Sequence, residues 1–208
     1  MMTQRNEQSK EWGADRAFGQ IVFQLEAARL KQGRGRVLGI TSCRSGAGAT
    51  FVLGNLARVL AGKSRRGVLM ADCADLVLVS HLEPIDLLGQ CSFTEDAGLW
   101  LLSGPDRSQR SSLVETSQDG NLAAAMSVLA SRFDFVLLDC GAANVSGRMW
   151  QFASVVDDVF LVVAAGETKR EQVTYAQRIV AQSGAPLSGC ILNKRTYPLP
   201  GALHRFLN

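Results

Sequence analysis

The residues of this 208-residue chain that can do chemistry gather at the ends of apolar runs. Between the β-rich run Val37–Ser42 and a helical pattern over Thr50–Ala61 lies Ser42-Cys43-Arg44-Ser45-Gly46-Ala47-Gly48-Ala49-Thr50. Small residues let a backbone approach a ligand closely. A helix starting just behind them aims free N–H groups and a positive dipole end at the same point. That combination suits a phosphate. Thr50 adds a hydroxyl, and Arg44 is the cation within the loop. Asp72 and Asp139 follow the apolar runs Gly67–Ala71 and Phe133–Leu138. A hydroxyl with two carboxylates is a hard-oxygen set suited to Mg²⁺ beside phosphate. Each residue also has a plainer reading. The loop can be a Gly-rich turn, either Asp can cap a helix or start a turn, and a loop Arg can be solvated.

The elements that would position these residues follow from periodicity. Met1–Gly13 is polar and without period, and reads as a frayed tail before a single domain over 14–208. Phe18, Ile21, Val22, Leu25 and Ala28 predict a helix over Ala14–Gln32, stopped by Gly33-Arg34-Gly35. Further strands are expected at Leu99–Leu102, Val159–Ala165 and Leu187–Leu192, the last ending at Asn193. Helices are expected at Asn121–Arg132 and Glu167–Ser183. Leu76–Ala97 and Pro105–Gly120 show no clear period. Near-continuous apolar strands alternating with helical patterns predict an α/β fold with a mostly parallel central sheet and helices on both faces. In such a sheet the polar residues at strand C-termini line the ligand crevice, here Ser42, Asp72, Asp139 and Asn193.

Composition sets the class. Hydrophobic residues make up 47% and charged residues 20%, which excludes a disordered chain. No apolar run reaches the ~18–20 residues of a membrane helix, and the start lacks a signal-peptide core, so a cytoplasmic protein is expected. With 22 Lys+Arg against 19 Asp+Glu, net charge says little about partners. Basic clusters at Arg29–Arg36 and Lys63–Arg66 are read as solvated helix ends and turns rather than a nucleic-acid surface. The five cysteines show no C-x-x-C spacing and are expected to be reduced and mostly buried.

The loop departs from a standard Walker A motif, G-x-x-x-x-G-K-[ST]: Gly48 and Thr50 fit, and Ala49 takes the lysine position. A dinucleotide fingerprint fits worse, with Phe51 at its third glycine. Four ordered segments carry a resemblance: Ser42–Thr50, then Val68-Leu69-Met70-Ala71-Asp72-Cys73-Ala74-Asp75-Leu76, then Phe133-Asp134-Phe135-Val136-Leu137-Leu138-Asp139-Cys140-Gly141, then Ser188-Gly189-Cys190-Ile191-Leu192-Asn193-Lys194. Together they resemble the CpsD/CapB-type bacterial tyrosine kinases of exopolysaccharide and capsule synthesis, within the deviant-Walker MinD/ParA family. The resemblance covers about Ala14–Arg195. It implies a three-layer P-loop NTPase fold and binding of ATP or ADP with Mg²⁺. It places Ser45, Gly46, Ala47, Gly48, Ala49, Thr50 and Phe51 around the phosphates and Asn193 at the adenine edge. Thr50, Asp72 and Asp139 become the metal set, with Asp72 also the catalytic carboxylate. Thr168 falls in a segment the family marks with Thr.

Departures from the family pattern set the expected activity. Ala49 removes a preorganised positive charge, a loss of the order of 10²–10³ in rate. Ala74 replaces the second acid of D-x-D, with Asp75 one residue later. The family's C-terminal tyrosine cluster is missing, since the chain has only Tyr175 and Tyr197. Its helical E-x-x-R motif is not clear near Ala17–Gln24. Arg44 falls on the signature-lysine position of MinD and ParA proteins. The expectation is a degenerate tyrosine-kinase-like protein, regulatory or scaffolding, with residual nucleotide binding. The alternatives are an active kinase or ATPase using Arg44, and a MinD/ParA-like positioning ATPase. Pro198–Gly201 interrupts the tail and Ala202–Asn208 is short for an amphipathic membrane helix. The implied partners are a membrane polysaccharide chain-length regulator or a cognate kinase, and a homo-oligomer. Recruitment to the inner membrane face by a partner is expected, without nucleic acid and without direct membrane insertion.

Overall fold

The computed structural model describes residues 18–104, 120–145 and 147–195. Its elements in chain order are α1 (18–32), β1 (Arg36–Ser42), α2 (Ala49–Ala61), β2 (Val68–Asp72), α3 (Cys73–Val79), α4 (Pro84–Gly89), β3 (Cys91–Phe93), β4 (Leu99–Leu102), α5 (Gly120–Arg132), β5 (Phe135–Ala142), α6 (Arg148–Phe152), β6 (Asp158–Ala164), α7 (Arg170–Ser183) and β7 (Leu187–Asn193). The strands form one seven-stranded sheet ordered β3-β4-β2-β5-β1-β6-β7. Only β3 runs antiparallel to its neighbour, β4. The other pairs are parallel.

Two cores sandwich the sheet, and strand alternation assigns side chains to each. Along β1, Val37 belongs to one core, while Leu38 and Ile40 belong to the other. Along β5, Val136 and Leu138 face the first core, and Phe135 and Leu137 the second. Helices α1 and α2 cover the second face with Val22, Leu25, Leu53, Leu56 and Leu60. Helices α3, α5 and α6 cover the first with Leu76, Leu129, Met149 and Phe152. Burial on both faces explains why the central strands read as unbroken apolar runs. Fully burying one Leu or Phe contributes about 1.5–3 kcal/mol, so the central strands dominate stability.

Several expectations change in detail. The fifth strand begins at Phe135 and continues through Asp139 to Ala142, so Asp139 lies within a strand and does not end it. Gly141 has φ 66°, and the β1–β5 register shifts between Ile40 and Ser42 at this end of the sheet. The helix expected from Glu167 begins at Arg170, because Gly166, at φ 72°, opens a turn first. The irregular stretch Leu76–Ala97 contains α3, α4 and edge strand β3, all too short to leave a period. The tail Met1–Gly13, most of Pro105–Gly120, Tyr197 and the C-terminal segment Pro198–Asn208 lie outside the described residues.

The basic clusters are largely absorbed by ion pairs at the N-terminal ends of the strands. Arg29 and Arg66 meet buried Asp134 at 3.0 and 2.9 Å. Arg34 meets Asp157 at 2.7 Å, and Arg36 meets Asp158 at 2.5 Å. Burial pushes the Asp134 carboxyl up, but hydrogen bonds from the Arg66 amide and side chain and the Arg65 amide outweigh it and hold it below the usual range. Asp157 is lowered likewise: burial opposes, and Arg34, Gln32 and the Val37 amide prevail. None of the five cysteines is in a disulfide; Cys43, Cys73 and Cys140 are buried, Cys91 half-buried and Cys190 exposed.

Candidate nucleotide site

The loop Cys43–Gly48 leaves β1 at the centre of the sheet, beside the C-terminal ends of β5 and β6. Its base is fixed. The Cys43 amide donates to Val162 O at 3.2 Å, Ser42 Oγ donates to Arg44 O at 3.0 Å, and Thr41 Oγ1 donates to Gly141 O at 2.9 Å. Ala47 is fully buried, while Ser45 and Gly46 are exposed. Gly46 and Gly48 have φ of 77° and 91°, which a side chain disfavours. At Gly48 the space is also closed: a Cβ there would sit 2.2 Å from Asn193 Nδ2. Gly48 is the N-cap of α2 and has no side chain to satisfy the helix's first amides. Those amides are the free donors an anion needs.

Thr50 Oγ1 donates to Asp139 Oδ2 at 2.5 Å, joining the first turn of α2 to β5. Asp139 and Asp72 are register partners on adjacent parallel strands. The sheet therefore brings together the hydroxyl and both carboxylates expected from sequence. Asp72 also caps α3, its Oδ1 accepting from the Ala74 amide at 2.7 Å, and it pairs with Arg148 at 3.5 Å. The plainer reading of Asp72 as a helix cap is thus realised alongside its place near Asp139. Asp75 turns elsewhere: a Cβ on Gly104 would meet its Oδ1 at 2.7 Å.

Ala49 is buried and packs into the α2 core. Phe51 is 68% exposed on the first turn of α2. Asn193 ends β7, and its Nδ2 donates to Ala47 O at 2.9 Å, bracing the loop from the side. Arg44 bonds Glu167, and Lys194 Nζ lies 3.2 Å from each oxygen of that carboxylate. Glu167, Lys194 and Arg148 are the site residues that sequence reasoning missed. They lie far from the loop in sequence, and only sheet order brings them near. Thr168 Oγ1 accepts from the Ala164 amide at 3.0 Å, closing the turn after β6. Tyr175 lies on α7, half-exposed.

The chemistry of the donors fits Mg²⁺ with a nucleotide. A hydroxyl and one or two carboxylates leave room for water and phosphate oxygens, as this ion requires. Among the described residues no cluster of three His, Cys, Asp or Glu side chains could hold a metal alone. Clefts of about 300 and 260 Å³ lie elsewhere, one lined by Arg29, Arg65, Arg66 and Asp134, the other by Arg34 and Asp157 among others.

A strand, a glycine loop and a helix at the centre of a parallel sheet, with Asp139 on the neighbouring strand, fix the architecture. The fold is that of the P-loop NTPases. Solved structures agree. The chain superposes on the kinase domain of VpsO with a TM-score of 0.70 and 24% identity, over 92% of this chain and 98% of that one. It is similar to the kinase domain of Escherichia coli tyrosine kinase ETK, with a TM-score of 0.63, 20% identity and coverage of 80% and 71%. The septum site-determining protein MinD of Pyrococcus horikoshii, solved with Mg-ADP, gives 0.59, 21%, 83% and 77%. No protein-family model and no curated protein matches the sequence. The P-loop fold and its likeness to bacterial tyrosine kinase domains and MinD/ParA ATPases stand as expected from the motifs. No helix among the described residues is long and apolar enough to cross a membrane.

Proposed function

We propose that this chain is a degenerate tyrosine-kinase-like P-loop protein. It binds ATP or ADP with Mg²⁺ weakly, and transfers or hydrolyses phosphate slowly or not at all. One observation carries the reading: the phosphate loop keeps its glycine geometry and uncapped helix end, while buried Ala49 stands where the lysine would. Backbone amides hold a phosphate without that lysine, but the positive charge that stabilises transfer is lost.

The residues divide the work. The amides of Gly46, Gly48, Ala49 and Thr50 would receive the phosphates, while the Ala47 amide donates to Arg44 O at 3.3 Å and holds the loop's turn. Thr50 and Asp139 would hold Mg²⁺, with Asp72 beside them. Bound there, Mg²⁺ would neutralise phosphate charge. Asn193 holds the loop through one N–H to Ala47 O, and its second N–H and its Oδ1 would be the groups that meet a base. By resemblance, the role is regulation or scaffolding in exopolysaccharide or capsule synthesis or export. The partner is a membrane chain-length regulator, a cognate kinase or a second copy of this chain.

A second reading, an active kinase or ATPase using Arg44, is favoured by the guanidinium at the loop mouth. One experiment separates the two. A fluorescent ATP analogue is titrated into the protein with Mg²⁺ while phosphate release is followed. Saturable binding with negligible release supports the proposed reading. Release that vanishes in Arg44→Gln supports the second. Absence of any binding refutes both.

A further inference from the structure

Two cations flank the phosphate loop, and one carboxylate holds them both. Arg44 leaves the loop itself, and its Nη2 donates to Glu167 Oε2. Its Nη1 donates to Ser45 O at 3.2 Å, and its Nε is buried without a hydrogen-bond partner. Lys194 follows Asn193, the residue that touches Ala47 and bounds Gly48. Lys194 Nζ lies 3.2 Å from both oxygens of Glu167.

The carboxylate and the lysine sit on constrained backbone. The Thr168 amide donates to Ala164 O at 3.0 Å, and the Ala165 amide donates to Asn193 O at 2.8 Å, tying the Glu167 turn to the end of β7. Lys194 has φ 58°, the one non-glycine residue at positive φ among those described. A lysine in that region carries strain, which persists only where surrounding structure enforces it.

The charges do not balance. Two cations face one carboxylate, beside a loop whose own lysine position is Ala49. We propose that Glu167 is a latch competing with a polyphosphate for Arg44 and Lys194, and that once Glu167 is displaced these two side chains help bind the polyphosphate, without restoring the charge for transfer that Ala49 lacks. The proposal rests on the nucleotide-binding reading of the loop and deepens it. The three side chains are between 31% and 43% exposed, so each ion pair is screened and weak. A terminal phosphate offers three acceptor oxygens and up to two negative charges, more than the carboxylate it would replace. The latch therefore opens on binding without a large barrier, at a cost of several-fold in affinity.

The test compares the full chain with Glu167→Gln, Lys194→Gln and the double variant. The probes are Mg-ADP and inorganic tripolyphosphate, measured by calorimetry at low salt. Glu167→Gln is expected to bind both probes about 3–10-fold more tightly. Lys194→Gln is expected to bind several-fold more weakly, and the double variant to lose most of the gain. Equal or weaker binding by Glu167→Gln overturns the latch while leaving nucleotide binding intact. Unchanged binding by Lys194→Gln removes that lysine from the site. If no protein binds either probe, the nucleotide reading fails and the latch falls with it.

Discussion

At the residue scale the account turns on Ala49. Ala49 sits on the first turn of α2 with its Cβ against the core, so a lysine there would have to run past that core to the loop; on the proposed reading Ala49→Lys should restore the lost chemistry. Phosphate release is expected to rise by about 10²–10³-fold, the range that such electrostatic donors supply. An unchanged rate would place the lesion elsewhere. Asp139 carries the metal side of the argument through its 2.5 Å bond to Thr50. Asp139→Asn is expected to weaken Mg²⁺-dependent ADP binding about ten-fold and leave metal-free binding nearly unaltered. Calorimetry with and without Mg²⁺ distinguishes the two. The buried thiols beside the carboxylates should be inert. Burial, then the bond to Cys140 at 3.5 Å, raises the Cys73 thiol well above its ordinary value, and burial lifts Cys43 to about 11. Little thiolate exists there at neutral pH.

At the element scale the loop depends on two glycines at its bend. Gly48→Ala forces a side chain to φ 91° and into Asn193, 2.2 Å from its amide nitrogen. The expected cost is about 1–3 kcal/mol, read from urea midpoints, together with loss of nucleotide binding. The opposite end of the sheet is tied by carboxylates. Asp134 and Asp157 both protonate less readily when folded than when unfolded. Their contribution is therefore full above the unfolded value of about 4 and is lost as pH falls through the folded values. Urea midpoints should drop between pH 6 and pH 3, and drop less in Asp134→Asn with Asp157→Asn. The long elements were legible in sequence because buried parallel strands leave unbroken apolar runs, as in Phe135–Leu138 and Val159–Val163. The short elements α3, α4 and β3 were not, since three to seven residues hold no period.

At the scale of the whole molecule, what sequence could show depended on locality. The phosphate loop and the helix behind it are contiguous, so their chemistry is written in nine residues. Asp72 and Asp139 are distant in sequence, yet each follows an apolar run, and parallel pairing of β2 with β5 makes them register neighbours. No such rule links Arg44 to Glu167, 123 residues away, or Arg66 to Asp134. Those pairs arise from strand order, which periodicity does not reveal. The same order sets a phosphate-shaped loop at one end of the sheet and an ion-paired belt at the other. The central claim is that this loop still holds a nucleotide while its chemistry is impaired. The most direct measurement is a single turnover with protein in excess over Mg-ATP labelled on its terminal phosphate, reading bound and cleaved label together. The account predicts that label is retained on the protein and stays uncleaved over minutes. Cleavage at the ~1–100 s⁻¹ of ordinary kinases would contradict it.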